Sequence, residues 1–199
     1  MALDPFTLTD LTKNQLGWLA TRPADYQGFL DQFSDIMDFA GGLGHFADYK
    51  RPPDAAVELF WLAAFQLQAA AATLSAAFDF RGAIQSALIG AEISIKGGLV
   101  AGGATEKEYR KHGHHLDSAA RHFAEKNTAF DLDRVLRVIG TLPPCGENRY
   151  SASQPGRIET GHIAMKCQYI AGEVMRQIAG YTIRSAWTES LSRVYPPPS

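Results

Sequence analysis

Three groupings of side chains have the types and spacing to do chemistry. The first is Arg157-x-x-x-x-His162, at the expected entry of the last helix. A helix N-terminus draws phosphate through its free amides and dipole. A guanidinium clamps phosphate oxygens in a bidentate way, and an imidazole moves a proton near neutral pH. Together these are the minimum for cleaving RNA without a metal. The second is His112-Gly113-His114-His115, with His122 beyond it. His115 and His122 lie seven apart, a spacing that can share one helix face, and imidazoles so placed can bind a transition metal. No cysteine or paired carboxylate stands at ligand spacing beside them, so a polar helix start is the plainer reading. The third is Glu159-x-x-His162, which could project into a bundle core as in a di-metal carboxylate site, with Glu58 and Glu92 as further ligands. Such a site also needs a second Glu-x-x-His pair, which the sequence lacks. No phosphate-binding glycine loop and no nucleophile elbow is present.

The elements that must position these groups read as helices. Pro23 opens a helical pattern with Phe29, Phe33, Ile36 and Met37 on its apolar positions, expected to end after Phe39 at Gly41, Gly42 and Gly44. Residues 55–77 are rich in Ala, Leu and Gln and predict a buried helix, interrupted too often by polar residues for a membrane span. A break near Asp79–Gly82 precedes a core helix over 83–101, whose face is Ile84, Leu88, Ala91, Ile95 and Leu99. Gly113 should split residues 105–127 into a short turn and a true helix. A shorter helix follows over 130–139, then a loop over 145–158. A final helix over 159–190 carries the stripe Ile163, Cys167, Ile170, Val174, Ile178 and Tyr181. There is no strand signal and no solenoid repeat. The expected fold class is all-α, an antiparallel helical bundle of five or six helices.

Composition bounds the rest. With 46% hydrophobic and 20% charged residues, the 199-residue chain is an ordinary globular protein, large enough for its own core. A formal net charge of −2 argues against coating a polyanion, though a local patch suffices for a small RNA site. Residues 1–60 carry four basic and nine acidic side chains, and residues 149–199 six basic and three acidic, so a polyanion is better placed near the C-terminal quarter. Cys145 and Cys167 form no CxxC pair and read as thiols of a reducing cytoplasm. Residues 1–20 lack the basic start and apolar run of a secretory signal. Residues 1–22 are expected to be an N-terminal extension, its first seven resembling a vector-derived leader, with the bundle at 23–191 and a Pro-rich tail at 192–199.

The run Ala91-Glu92-Ile93-Ser94-Ile95-Lys96-Gly97-Gly98-Leu99, then Gly102, then Lys111-His112-Gly113-His114-His115-Leu116, resembles the HEPN superfamily. There, a helix with a Glu-x-x-x-Lys pattern is followed by a glycine and a Gly-His-Asp-Leu-like helix start. His115 stands here in place of the Asp. The resemblance implies a helical bundle, commonly a homodimer. Many members are metal-independent ribonucleases with an Arg-x(4–6)-His motif near the last helix, which assigns Arg157 and His162 as the catalytic pair. The residue after the arginine is usually polar in that motif and is Ile158 here. Arg149-Tyr150 resembles a pair found in non-catalytic members. Arg149, Tyr150, His114 and His115 are the candidate substrate-binding side chains. The expected partners are RNA or a nucleotide, a second copy of the chain, and a cognate antitoxin or other protein, in the cytoplasm, with no membrane, cofactor or metal. A non-catalytic HEPN module binding a nucleotide or a protein, and a metal-binding bundle, are the alternatives.

Overall fold

A computed structural model describes residues 5–48, 52–77, 79–145, 154–180, 182–184 and 193–196. Among them are eight α-helices and no strand. They are α1 (Lys13–Ala20), α2 (Pro23–Asp48), α3 (Asp54–Ala72), α4 (Phe80–Ala101), α5 (Glu106–Arg110), α6 (Leu116–Ala124), α7 (Leu132–Ile139) and α8 (Arg157–Ala179). One π-helical turn, Thr73–Ala77, extends α3. The described residues thus form an all-α helical bundle, with eight helices where five or six are expected. The additional ones, α1 and α5, are short. Each is started by a capping box, Thr12 with Gln15 and Thr105 with Glu108, which satisfies amides that would otherwise lack partners.

Helix α4 is the centre of the bundle: it packs along α3 and α8, while α2 lies on α8 and α6 bridges α4 to α7. The expected face of α4, Ile84, Leu88, Ala91, Ile95 and Leu99, is buried throughout. On α8, Ile163, Cys167, Ile170 and Val174 are buried and Ile178 partly so, while Tyr181 lies outside the described residues.

Several boundaries are corrected. The α2 helix does not stop after Phe39 but runs to Asp48. The glycine there is a packing device: a Cβ on Gly42 would sit 2.3 Å from Met175 Cγ, so glycine lets α2 and α8 approach. Helix α8 ends at Ala179, well short of residue 190, because Gly180 takes the left-handed conformation (φ +71°) that closes a helix. Residues 55–77 are buried on one face only. Trp61, Leu62 and Phe65 are 48%, 50% and 57% exposed. By length and composition, Asp54–Ala76 is also long and apolar enough to cross a membrane, with 33% of its most apolar window buried inside the bundle.

The largest departure is on α2. Ile36, expected on the apolar face, is 43% exposed, whereas Asp31, Asp35 and Asp38 are buried. Buried carboxylates require cationic and hydrogen-bonding partners. These come from far along the chain. Arg176 Nη1 reaches Asp35 Oδ1 and Asp38 Oδ2, each at 2.9 Å, and Arg193 Nη2 reaches Asp35 Oδ2 at 2.6 Å. Arg184 pairs with Asp31. The backbone amides of Val194 and Tyr195 donate to Asp31 Oδ2 at 2.8 and 2.9 Å. Part of the expected Pro-rich tail is therefore tied to α2. Phe6 stacks on Phe29 of α2 at 5.4 Å, so the N-terminal segment also touches the bundle.

Candidate functional site

The segment from Glu92 to Leu116 forms neighbouring helical segments of one bundle. Glu92, on α4, is buried and holds two partners. Lys96, one turn on, places Nζ 2.6 Å from Glu92 Oε1 and donates to the Gly113 carbonyl at 2.9 Å. His114 Nδ1 donates to Glu92 Oε2 at 2.8 Å. Gly113 has φ +53°, a left-handed conformation that glycine adopts without strain, and this lets the turn bring its carbonyl and His114 back to α4. The carboxylate thus ties the turn before α6 to the central helix. It is itself enclosed by opposite charge and hydrogen bonds, as a buried carboxylate must be.

The other histidines separate. His112 Nε2 and His122 Nδ1 share a hydrogen bond at 3.0 Å, and His112 Nδ1 bonds Ser118 Oγ at 2.8 Å. Desolvation, and then the neighbouring His122, hold the His112 pKa below its ordinary value. His115 is an exposed N-cap residue of α6, and the partner of His122 is His112.

Two clefts adjoin at Leu142 and Pro143, which line both. One, of about 270 Å³, is lined by Glu92, His114, His115, Asp117 and Cys145 against Leu88, Leu116 and Ile139. In it a His114 ring nitrogen, a Glu92 carboxylate oxygen and Cys145 Sγ all lie within 4.8 Å of one another. The other cleft, of about 570 Å³, is lined by Glu159, His162 and Lys166 of α8, with Ile84, Ile158 and Ile163, and by Gly140, Thr141 and Pro155.

Arg157 is the first residue of α8, and no side chain caps that helix: its N-cap is Gly156. Arg157 and His162 are both exposed. Five residues turn the helix by about 140°, so within one chain the pair diverges around α8. The cleft that His162 lines does not include Arg157 among its lining residues. Lys166, four residues beyond His162, shares its face and its cleft. Glu159 and His162 line this cleft together. Among the described residues, the three donor side chains close enough to hold one metal ion are Glu92, His114 and Cys145, and that group excludes Glu159, His162 and Glu58. Arg149 and Tyr150 lie outside the described residues.

Sequence reasoning missed Lys166 and Cys145. Lys166 carried a readable signal, its position four residues after His162. Cys145 carried none, because the fold alone brings it to His114. Set against family models, curated proteins and solved structures, the chain matches none of them.

Proposed function

We propose that this protein is a HEPN-type helical bundle that binds RNA through the cleft at the head of α8. The observation that carries this reading is the placement of His162 and Lys166 on one face of α8 in one open cleft, beside a helix start with no side-chain cap. The first amides of α8 and the Lys166 ammonium attract phosphate, and the His162 imidazole offers a hydrogen-bonding group in the same cleft. Glu159 in the same cleft repels phosphate and limits binding to a ligand seated toward Lys166. The clamp of Glu92, Lys96 and His114 holds the adjoining wall rigid. The order Glu92, Lys96, Gly113, His114 is the part of the chain that resembles the superfamily, and its members lie together in space.

Metal-independent cleavage is the second reading, favoured by the exposure of both Arg157 and His162. In it His162 takes the proton of a ribose 2′-hydroxyl, the 2′-oxygen bonds to phosphorus as the bond to the 5′-oxygen breaks, water protonates the leaving 5′-oxygen, and Arg157 or Lys166 steadies the phosphate. Because Arg157 diverges from His162 within one chain, this reading draws the arginine from a second copy. A cytoplasmic homodimer belongs to the proposal, and the exposed apolar strip of Trp61, Leu62 and Phe65 is one surface available for it.

The test is binding of a fluorescent single-stranded RNA, followed by anisotropy in EDTA, with gel analysis of the same samples. Lys166→Ala should weaken binding about tenfold and flatten its salt dependence. His162→Ala should weaken binding severalfold and abolish any cleavage. RNA bound equally by wild type and both variants overturns the reading.

A further inference from the structure

The smaller cleft holds a constellation of metal-donor atoms, to which the RNA reading gives no more than a structural part. Glu92, His114 and Cys145 come from α4, from the turn before α6 and from the segment after α7. Their donor atoms converge within 4.8 Å. We infer that this protein binds one divalent transition-metal ion, of the zinc class, through Cys145 Sγ, His114 and Glu92.

The donor set decides the class of ion. A thiolate with an imidazole and one carboxylate suits zinc or cobalt and disfavours magnesium and calcium, which prefer all-oxygen shells. The spacing fits as well. Bonds of about 2.0–2.3 Å in a tetrahedral shell place ligand atoms about 3.3–3.6 Å apart, within the 4.8 Å that bounds the three donor atoms here. The hydrogen bond from His114 Nδ1 to Glu92 Oε2 is 2.8 Å long, so a metal can replace the proton held between them after a small separation of the two groups. Lys96 remains on the other oxygen, Oε1, and fixes the carboxylate as an outer-shell partner would. Binding displaces the Cys145 thiol proton to solvent, and the His114 proton moves from Nδ1 to Nε2. The thiolate and the carboxylate offset the ion's two positive charges, and with the Lys96 ammonium the cluster carries a net charge of +1.

Three protein ligands leave a fourth position facing the cleft, which water or a ligand can take. His115 lines the same cleft but is not one of the three converging donors, and the remaining thiol and the His112–His122 pair are distinguishable by their surroundings. Cys167 is buried in the core, where burial pushes its thiol pKa up and withholds a thiolate. His112 and His122 bond to each other and lack a sulfur donor.

Cobalt(II) titration of the whole, reduced, metal-stripped protein tests the inference, because a cobalt–thiolate bond gives a near-ultraviolet charge-transfer band and a tetrahedral shell gives intense visible bands. The expected result is saturation at one cobalt per chain, displacement by zinc, and a charge-transfer band. Cys145→Ser should remove the band, His114→Ala should weaken binding at least tenfold, and His112→Ala should change neither. His114 is 73% exposed at its side chain, so its alanine variant is expected to fold, which circular dichroism checks. A missing thiolate band, a band that survives Cys145→Ser, or cobalt binding abolished by His112→Ala but not by His114→Ala overturns it. None of these readouts depends on RNA.

Discussion

Glu92 and His114, twenty-two residues apart, meet at 2.8 Å, and the same carboxylate holds Lys96 at 2.6 Å. The three side chains are unequal in energy because they are unequal in burial. Glu92 and Lys96 are 10% and 14% exposed at their side chains, and His114 is 73% exposed. Removing Glu92 strands a largely buried ammonium, whereas removing His114 returns little to water that was not already wet.

Glu92→Ala should therefore destabilise the fold by about 3 kcal/mol, the order expected for breaking a buried pair. His114→Ala should cost about 1 kcal/mol or less. Urea denaturation followed by circular dichroism measures both. Equal losses for the two variants would show that the carboxylate is not the centre of this clamp.

The pair of His112 and His122 sets a pH dependence. Desolvation, and then the charge of His122, lower the His112 pKa from 6.5; Lys96 and Lys111 act in the same direction and Glu125 opposes them. The unfolded chain thus binds a proton more readily than the native one just below pH 6.5. This contribution to stability is complete above that pH and is lost as the pH falls toward the native value. Wild type should lose more stability between pH 7.5 and 5.5 than His112→Gln does. The same loss in both, read from urea midpoints, would contradict the pairing.

Gly172 of α8 faces the backbone of α2. A Cβ there would stand 2.7 Å from the Asp35 carbonyl oxygen, and backbone cannot swing aside as a side chain can. Gly172→Ala should cost about 1–3 kcal/mol by forcing the helices apart, despite the better helix propensity of alanine. Thermal unfolding that leaves Tm unchanged or raised would show that α2 and α8 have slack.

The strip of Trp61, Leu62 and Phe65 bears on the proposed homodimer. Light scattering of the wild type at micromolar concentration should give twice the chain mass. Trp61→Glu with Phe65→Glu should halve it while circular dichroism stays unchanged. A wild type of single-chain mass, or a dimer indifferent to these substitutions, removes this surface from consideration.

Much of the bundle was legible because it is written locally. The spacing of Ile84, Leu88, Ala91, Ile95 and Leu99 gave the buried face of α4, and Gly113 marked the break between α5 and α6. The capping boxes at Thr12 and Thr105 are equally local signals, but the sequence reading did not use them and so missed α1 and α5. What failed was non-local. Nothing near Asp31, Asp35 and Asp38 in the chain signals their burial, because Arg176, Arg184 and Arg193 come from its other end. Gly42 reads as a helix stop until Met175 is seen to need its space. At the site, Glu92 and Lys96 stood in a readable pattern. The approach of Cys145 to His114 depends on how the segment after α7 returns to α4, and no spacing along the chain encodes that.

The most direct test is photo-cross-linking of the protein to a short RNA carrying 4-thiouridine, with the linked peptide mapped by mass spectrometry. Cross-links on residues 140–143 and 155–166, reduced in Lys166→Ala, are the expected result. Efficient cross-linking confined to other surfaces, or equal in wild type and Lys166→Ala, would contradict the claim that the head of α8 is where this protein meets RNA.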